Sequence, residues 1–266
     1  MTDGRAAVRR RRRGKLGFWY RLAAIILRRP MLMLTRRDWH GTEHIPDGGA
    51  VVVVNHISHF DPLSFAHFVY DAGRLPRFLA KAGLFGVPFI GSVLRGAEQI
   101  PVYRETGDAT KAFSAAVDAV RRGELVAVYP EATLTRDPDL WPMMGKTGAA
   151  RIALETGAPV IPVAQWGAQA VLPPYTKRIR LLPRRTMYLR AGPPVDLSDV
   201  VDKPVEAELL AEVTERIMSA ITGLLEEIRG EHAPAVRFDP RQPGLPRTGD
   251  PSRHDRRPDP TDRRSA

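Results

Sequence analysis

The segment Asn55-His56-Ile57-Ser58-His59-Phe60-Asp61-Pro62 places two imidazoles and a carboxylate within eight residues. These are the side chains that general acid–base chemistry uses most. A His–Asp pair works when the carboxylate holds Nδ1–H and leaves Nε2 as a base of raised basicity. His56 and Asp61 are five positions apart, and on one continuous helix that spacing would separate them by about 140°. They meet only if the chain leaves a strand at His56 and starts a helix at Asp61. His59 is a second candidate for the basic role. A simpler reading stays open: Asp61 caps the helix and both histidines are polar turn residues.

Other chemistries find little support. There is no cysteine, which removes disulfides, thiolate nucleophiles and cysteine-ligated zinc or iron–sulfur sites. Gly145-Lys146-Thr147 suggests a phosphate loop, but that motif needs a glycine where Leu140 stands. No Gly-x-Ser-x-Gly elbow and no His-Glu-x-x-His pair occur, so neither a serine hydrolase of the α/β type nor a zinc site of that kind is expected.

The elements around the His/Asp segment are those that could hold it. Ala50–Val54 runs into Asn55 and His56 as a continuous β-branched stretch, the pattern of a strand covered on both faces. After it, Asp61 is expected at N-cap and Pro62 at N1 of a helix through Tyr70. Helices are further predicted over Leu84–Leu94, Thr110–Arg122 and Lys146–Thr156, the last two stopped by Gly123 and Gly157. Strands are predicted at Ile100–Tyr103, Leu125–Pro130, Val160–Ala164 and Met187–Val195, and a long amphipathic helix at Glu206–Arg229. Thr156–Thr176 has no charged residue, but its prolines suit a buried strand and loop rather than a membrane helix. Strands alternating with helices predict a single-domain α/β layered sheet with flanking helices over 38–232.

The charge is not spread over that domain. The chain carries a net +10 over 266 residues, yet residues 1–37 hold twelve Lys or Arg against one acid, a balance of +11. Residues 38–236 hold 20 bases and 24 acids. A mildly acidic body argues against nucleic-acid readout by the folded part, although a nucleic-acid-associated protein using the arginine arm remains the alternative. Within the arm, Lys15–Thr35 is apolar but interrupted by Arg21, Arg28 and Arg29, too soon for a bilayer span. It suits helices lying in a membrane interface near anionic lipid, with Pro30 in the first turn of the second. A core-packing helix with a solvated basic face is the competing reading. The stretch 233–266, rich in Pro and Arg, is expected to be disordered.

The His/Asp segment also carries a resemblance. NHISHFD is similar to the Asn-His-x-Ser-x-x-Asp block of the glycerolipid acyltransferases, the family of bacterial 1-acylglycerol-3-phosphate acyltransferases. Downstream, FLAKAGLFGVPFIG (78–91) resembles the family's Ala-Lys-x-x-Leu-Phe segment, and GAEQIPVYR (96–104) resembles its second block. YPEAT (129–133) and VIPVA (160–164) resemble the third and fourth, so the likeness spans roughly 40–195.

The resemblance implies transfer of a fatty acyl group from acyl-CoA or acyl-carrier protein to the free hydroxyl of a lysophospholipid, most simply 1-acylglycerol-3-phosphate, giving phosphatidic acid. No metal or other cofactor is implied. By the same likeness His56 takes the hydroxyl proton and Asp61 orients it. Arg104 binds the acceptor phosphate with help from Lys81, and Glu131, Thr133 and Ser58 belong with the substrate-binding residues. The expected location is the cytoplasmic face of the membrane, held peripherally on anionic lipid, with no nucleic-acid partner. Where the family has Glu-Gly-Thr-Arg, this chain reads Glu131-Ala132-Thr133-Leu134. Alanine is disfavoured at positive φ by about 1 kcal/mol, so another loop conformation is expected. The missing arginine at Leu134 leaves Arg136 as a substitute, or points to a different lysolipid acceptor. A lipid hydrolase or an inactive relative is the weaker third reading.

Overall fold

The computed structural model describes residues 28–102, 109–200 and 203–242. Residues 28–34 are helical (α1). The strands are β1 (Thr35–His40), β2 (Ala50–Val54), β3 (Pro76–Lys81), β4 (Ile100–Val102), β5 (Leu125–Val128), β6 (Val160–Trp166) and β7 (Arg185–Ala191). The remaining helices are α2 (Asp61–Asp71), α3 (Ile90–Gly96), α4 (Ala109–Arg121), α5 (Gly148–Thr156), α6 (Ala168–Val171) and α7 (Ala207–Arg229).

The strands form one sheet in the order β1-β7-β6-β2-β5-β3-β4. β6, β2, β5, β3 and β4 run parallel, β7 is antiparallel to β6, and β1 is parallel to β7. The unbroken apolar run of β2 follows from its central place: all five residues are buried. Strand periodicity sends Val51 and Val53 into a layer closed by Ala116, Val120, Ile152, Val213 and Ile217 of α4, α5 and α7. Ala50, Val52 and Val54 enter the opposite layer with Phe65, Phe68 and Val69 of α2 and Val171 of α6. Both faces of the sheet are therefore covered, as the sequence predicts for a layered α/β domain.

Several elements differ from expectation. β1 and β3 are not legible in the sequence, since Thr35–His40 carries three charges and Pro76–Lys81 opens on a proline. The predicted helix over Leu84–Leu94 is divided into a 3-10 turn (Ala82–Gly86) and α3. Pro88 disfavours helical geometry at the residue before it, and Val87 is extended, with ψ 126°. The stretch expected to be structureless from 233 is held as far as 242. There the Arg237 guanidinium donates to Thr222 Oγ1 at 2.9 Å and to Glu215 Oε1 at 2.6 Å, both on α7, and Met144 N–H donates to Phe238 O at 2.9 Å. Most of the basic arm (1–27) and the rest of the tail (243–266) lie outside the described residues. Pro30 lies in the described part of α1, and the residues before 28, on which the expected helix start depends, are outside the described ones. Among the described residues no helix is long and apolar enough to cross a membrane.

Candidate active site

β2 ends at Val54, and the chain turns sharply before α2 begins at Asp61. Paired polar side chains hold the end of the strand. Asn55 Nδ2 donates to Gln165 O at 3.0 Å, Gln165 N–H donates to Asn55 Oδ1 at 2.8 Å, and Gln165 Nε2 donates to Asn55 O at 2.8 Å. They extend the β2–β6 ladder by one step beyond the Val54–Val163 pair and so fix where His56 leaves the sheet.

Asp61 was expected as the N-cap of α2. The N-cap is Phe60, with no side-chain cap bond, and Asp61 is the first helical residue. Its carboxylate folds back over the turn, where Oδ2 accepts from Ile57 N at 2.6 Å, Ser58 N at 2.8 Å and His56 Nδ1 at 2.9 Å. A carboxylate oxygen in this setting accepts, so Nδ1 carries the hydrogen and Nε2 is left with its lone pair. Asp61 is fully buried, whereas the His56 side chain keeps 15 % of its surface exposed. Burial raises the Asp61 pKa, opposed by the hydrogen bond and charge of His56 and by the two backbone donors.

Glu131 lies beneath the turn. Its Oε1 accepts His56 N–H at 2.8 Å and its Oε2 accepts Met143 N–H at 3.1 Å. Burial pushes its pKa up to about 8. Thr135 N–H donates to His56 O at 2.7 Å, so both backbone groups of His56 are bound by the loop after β5. The imidazole stacks on Tyr129, with centroids 4.2 Å apart at 25°, and Tyr129 stacks in turn on Phe78 at 6.3 Å. The Tyr129 phenol is held neutral, because burial first and the Asp61 charge second push its pKa well up. His59 does not share the Asp61 contact. Its pKa is lowered, chiefly by burial and then by His56. The site stands at the carboxyl ends of β2, β5 and β3, where open parallel sheets expose their reactive groups.

A family model described as Acyltransferase matches residues 36–166. The chain is 30% identical over 141 residues to a chloroplastic 1-acyl-sn-glycerol-3-phosphate acyltransferase of Brassica napus, covering 52% of this chain and 39% of that protein. It is 30% identical over 159 residues to the Borreliella burgdorferi 1-acyl-sn-glycerol-3-phosphate acyltransferase, covering 59% and 60%. These matches thus span about two-fifths to three-fifths of the relatives' own lengths. The Bacillus subtilis 1-acyl-sn-glycerol-3-phosphate acyltransferase is 30% identical over 189 residues, which cover 70% of this chain and 86% of that protein. The chain belongs to the acyltransferase family. Its fold agrees with a crystal structure of the 1-acyl-sn-glycerophosphate (LPA) acyltransferase PlsC from Thermotoga maritima, at a TM-score of 0.58 and 22% identity over 80% of this chain and 81% of that one.

The other residues singled out in the sequence take different positions. Lys81 is exposed at the end of β3, in register with Val102 of β4. Arg104, two residues after Val102, lies outside the described residues. Ser58, expected beside the substrate, is buried, and its hydroxyl donates to Leu172 O at 2.6 Å and accepts from Phe60 N at 3.0 Å. It tightens the turn. Glu131 likewise holds the backbone of His56 from a buried position. Thr133 is partly exposed on the same loop. Ala132 does adopt positive φ, 59°, so the alternative loop conformation expected from its lack of a glycine is not taken. Leu134 and Arg136 are buried, and Arg136 makes its interactions inside the protein. Sequence reasoning gave no role to Tyr129, Thr135 and Gln165, because none belongs to a recognisable chemical type at a telling spacing, and it quoted Asn55 only as part of the Asn-His-x-Ser-x-x-Asp block. Among the described residues no group of three or more His, Asp or Glu is placed to hold a metal ion.

Proposed function

We propose that this chain transfers a fatty acyl group from a thioester, acyl-CoA or acyl-carrier protein, to the free hydroxyl of 1-acylglycerol-3-phosphate, giving phosphatidic acid. The observation that carries the reading is the contact of His56 Nδ1 with buried Asp61. It commits one imidazole nitrogen and leaves Nε2 to take a proton. The acceptor hydroxyl loses its proton to Nε2 as its oxygen attacks the thioester carbonyl. Collapse of the tetrahedral adduct breaks the C–S bond, and the imidazolium returns the proton to the departing sulfur. Proton transfer of this kind contributes about 10² to 10⁴ in rate. Lys81, at the end of β3, and Arg104 supply cations for the acceptor phosphate. The relatives named for this reaction support the choice of acceptor. The reaction would be carried out from the cytoplasmic face of a membrane, with the basic arm on anionic lipid.

The test is transfer of radiolabelled acyl from acyl-CoA to lysophosphatidic acid by the purified chain. His56→Ala should abolish it while leaving the thermal midpoint close to that of the parent; persisting transfer would sink the mechanism. A second reading, a lysolipid acceptor other than a phosphomonoester, is favoured by Leu134, an apolar buried residue where the family has arginine. A panel of lysophospholipids assayed with one acyl-CoA separates the two.

A further inference from the structure

The segment that leaves the active-site rim interleaves exposed bases with exposed aliphatic side chains. Leu172 O accepts the Ser58 hydroxyl at 2.6 Å, and the Tyr175 hydroxyl donates to Leu134 O at 3.3 Å and Thr135 O at 3.2 Å. The chain is thus pinned to both loops that hold His56. Immediately after this, residues 176–184 are all exposed, and Arg180 N–H donates back to Val171 O at 2.7 Å, folding the first half of the run back toward α6. The exposed run is Thr-Lys-Arg-Ile-Arg-Leu-Leu-Pro-Arg, followed by Arg185. Ile179 and Leu182 show 64% and 76% of their surface to solvent, an unusual arrangement for a loop free to turn such side chains inward. No acid occurs in the sequence between Glu155 and Asp196. At its far end the loop is tied to α1, because Arg184 donates to Leu32 O and Thr35 O, both at 2.9 Å. Met33, beside that tie, is 73% exposed.

We propose that residues 176–184 are a membrane-docking loop which, together with α1, seats the active-site rim on a bilayer containing anionic lipid. The proposal deepens the transfer reading above and rests on it, since a lysolipid acceptor resides in a bilayer. Charge complementarity selects the occupant. Lys177, Arg178, Arg180 and Arg184 match an anionic surface, each base near the surface adding to the attraction. Ile179, Leu181 and Leu182, interleaved with them, match the acyl boundary beneath the headgroups. Nucleic acid would use the bases but has no place for three exposed aliphatic side chains. The tie through Arg184 makes α1 and the loop one platform, and the pins at Leu172 and Tyr175 place that platform beside His56.

The absence of cysteine makes a direct test simple. Leu182→Cys in the full chain, labelled with an environment-sensitive fluorophore, is mixed with vesicles of phosphatidylcholine containing 30% phosphatidylglycerol. The expected result is a blue-shifted, brighter emission, with no change for a label at Val236→Cys, which lies next to Arg237 on the α7 side of the sheet. In parallel, Arg178→Glu combined with Arg180→Glu, and Ile179→Ser combined with Leu182→Ser, should each weaken partition onto these vesicles by at least about tenfold. Equal emission changes at 182 and 236, or unchanged partition of both double variants, would overturn the proposal. A response to short duplex DNA matching that to vesicles would do the same. Acyl transfer by the unsubstituted chain to a monomeric short-chain acceptor, measured on the same preparation, separates a failure of the docking surface from a failure of the transfer reaction.

Discussion

His56 depends on partners that approach it from three directions. Asp61 fixes the ring through Nδ1, Tyr129 supports its face, and Glu131 and Thr135 hold its backbone. Asp61→Asn should reduce kcat by about 10² to 10⁴, because an amide in place of the carboxylate no longer fixes the tautomer or stabilises the imidazolium. A loss smaller than tenfold in steady-state assays would remove Asp61 from the orienting role. Glu131 predicts a pH signature of folding. Its pKa in the folded chain, about 8, lies above the ordinary 4.5, so its stabilising contribution is complete below about 4.5 and is lost as pH rises through about 8. Glu131→Gln should lower stability, since the amide NH₂ faces one of the two backbone donors, and should flatten the decline of thermal midpoint between pH 5 and 9. A steeper decline in that variant would contradict the assignment.

Among the elements, the turn between β2 and α2 and the loop after β5 form one interlocked unit. Ser58 binds the segment after α6, Thr135 binds His56, and Ala132 takes a conformation that suits glycine. A left-handed alanine carries roughly 1–2 kcal/mol of strain, partly offset by the larger unfolded-state entropy of glycine. Ala132→Gly should therefore stabilise the chain by roughly 0.5 to 1 kcal/mol, a rise of about 1–4 °C in Tm. A lower Tm in scanning calorimetry would mean the loop draws on the Ala132 methyl for packing.

For the whole molecule, most of the net charge lies ahead of the folded domain, although Arg36 and Arg37 already belong to β1. Eight of the twelve bases in residues 1–37 precede residue 28. Removing residues 1–27 should weaken binding to anionic vesicles and reduce its salt dependence, each lost base near the surface contributing about 1 kcal/mol at low salt. Transfer to a monomeric acceptor should survive, because the site is built from β2, β3, β5 and α2. If truncation instead abolishes salt-sensitive DNA binding and leaves vesicle binding intact, the arm serves nucleic acid.

The local pattern of the chain was enough for the buried strand β2, the helix that starts near Asp61, the long amphipathic α7 and the glycine stops at Gly123 and Gly157, because these depend on neighbours three or four positions away at most. The His/Asp segment was legible as a type of chemistry for the same reason. Its meaning was not. Whether Asp61 caps a helix or holds an imidazole depends on how sharply the chain turns, and that turn is enforced by Glu131, 75 residues from His56, and by Leu172, 114 residues from Ser58. The edge strands β1 and β3 were hidden because their charged and proline residues become strand only by pairing with β7 and β5. Sequence determined which groups this protein carries and where its charge lies; tertiary structure alone decided which of them meet, since contacts between distant segments arise from packing both faces of one sheet.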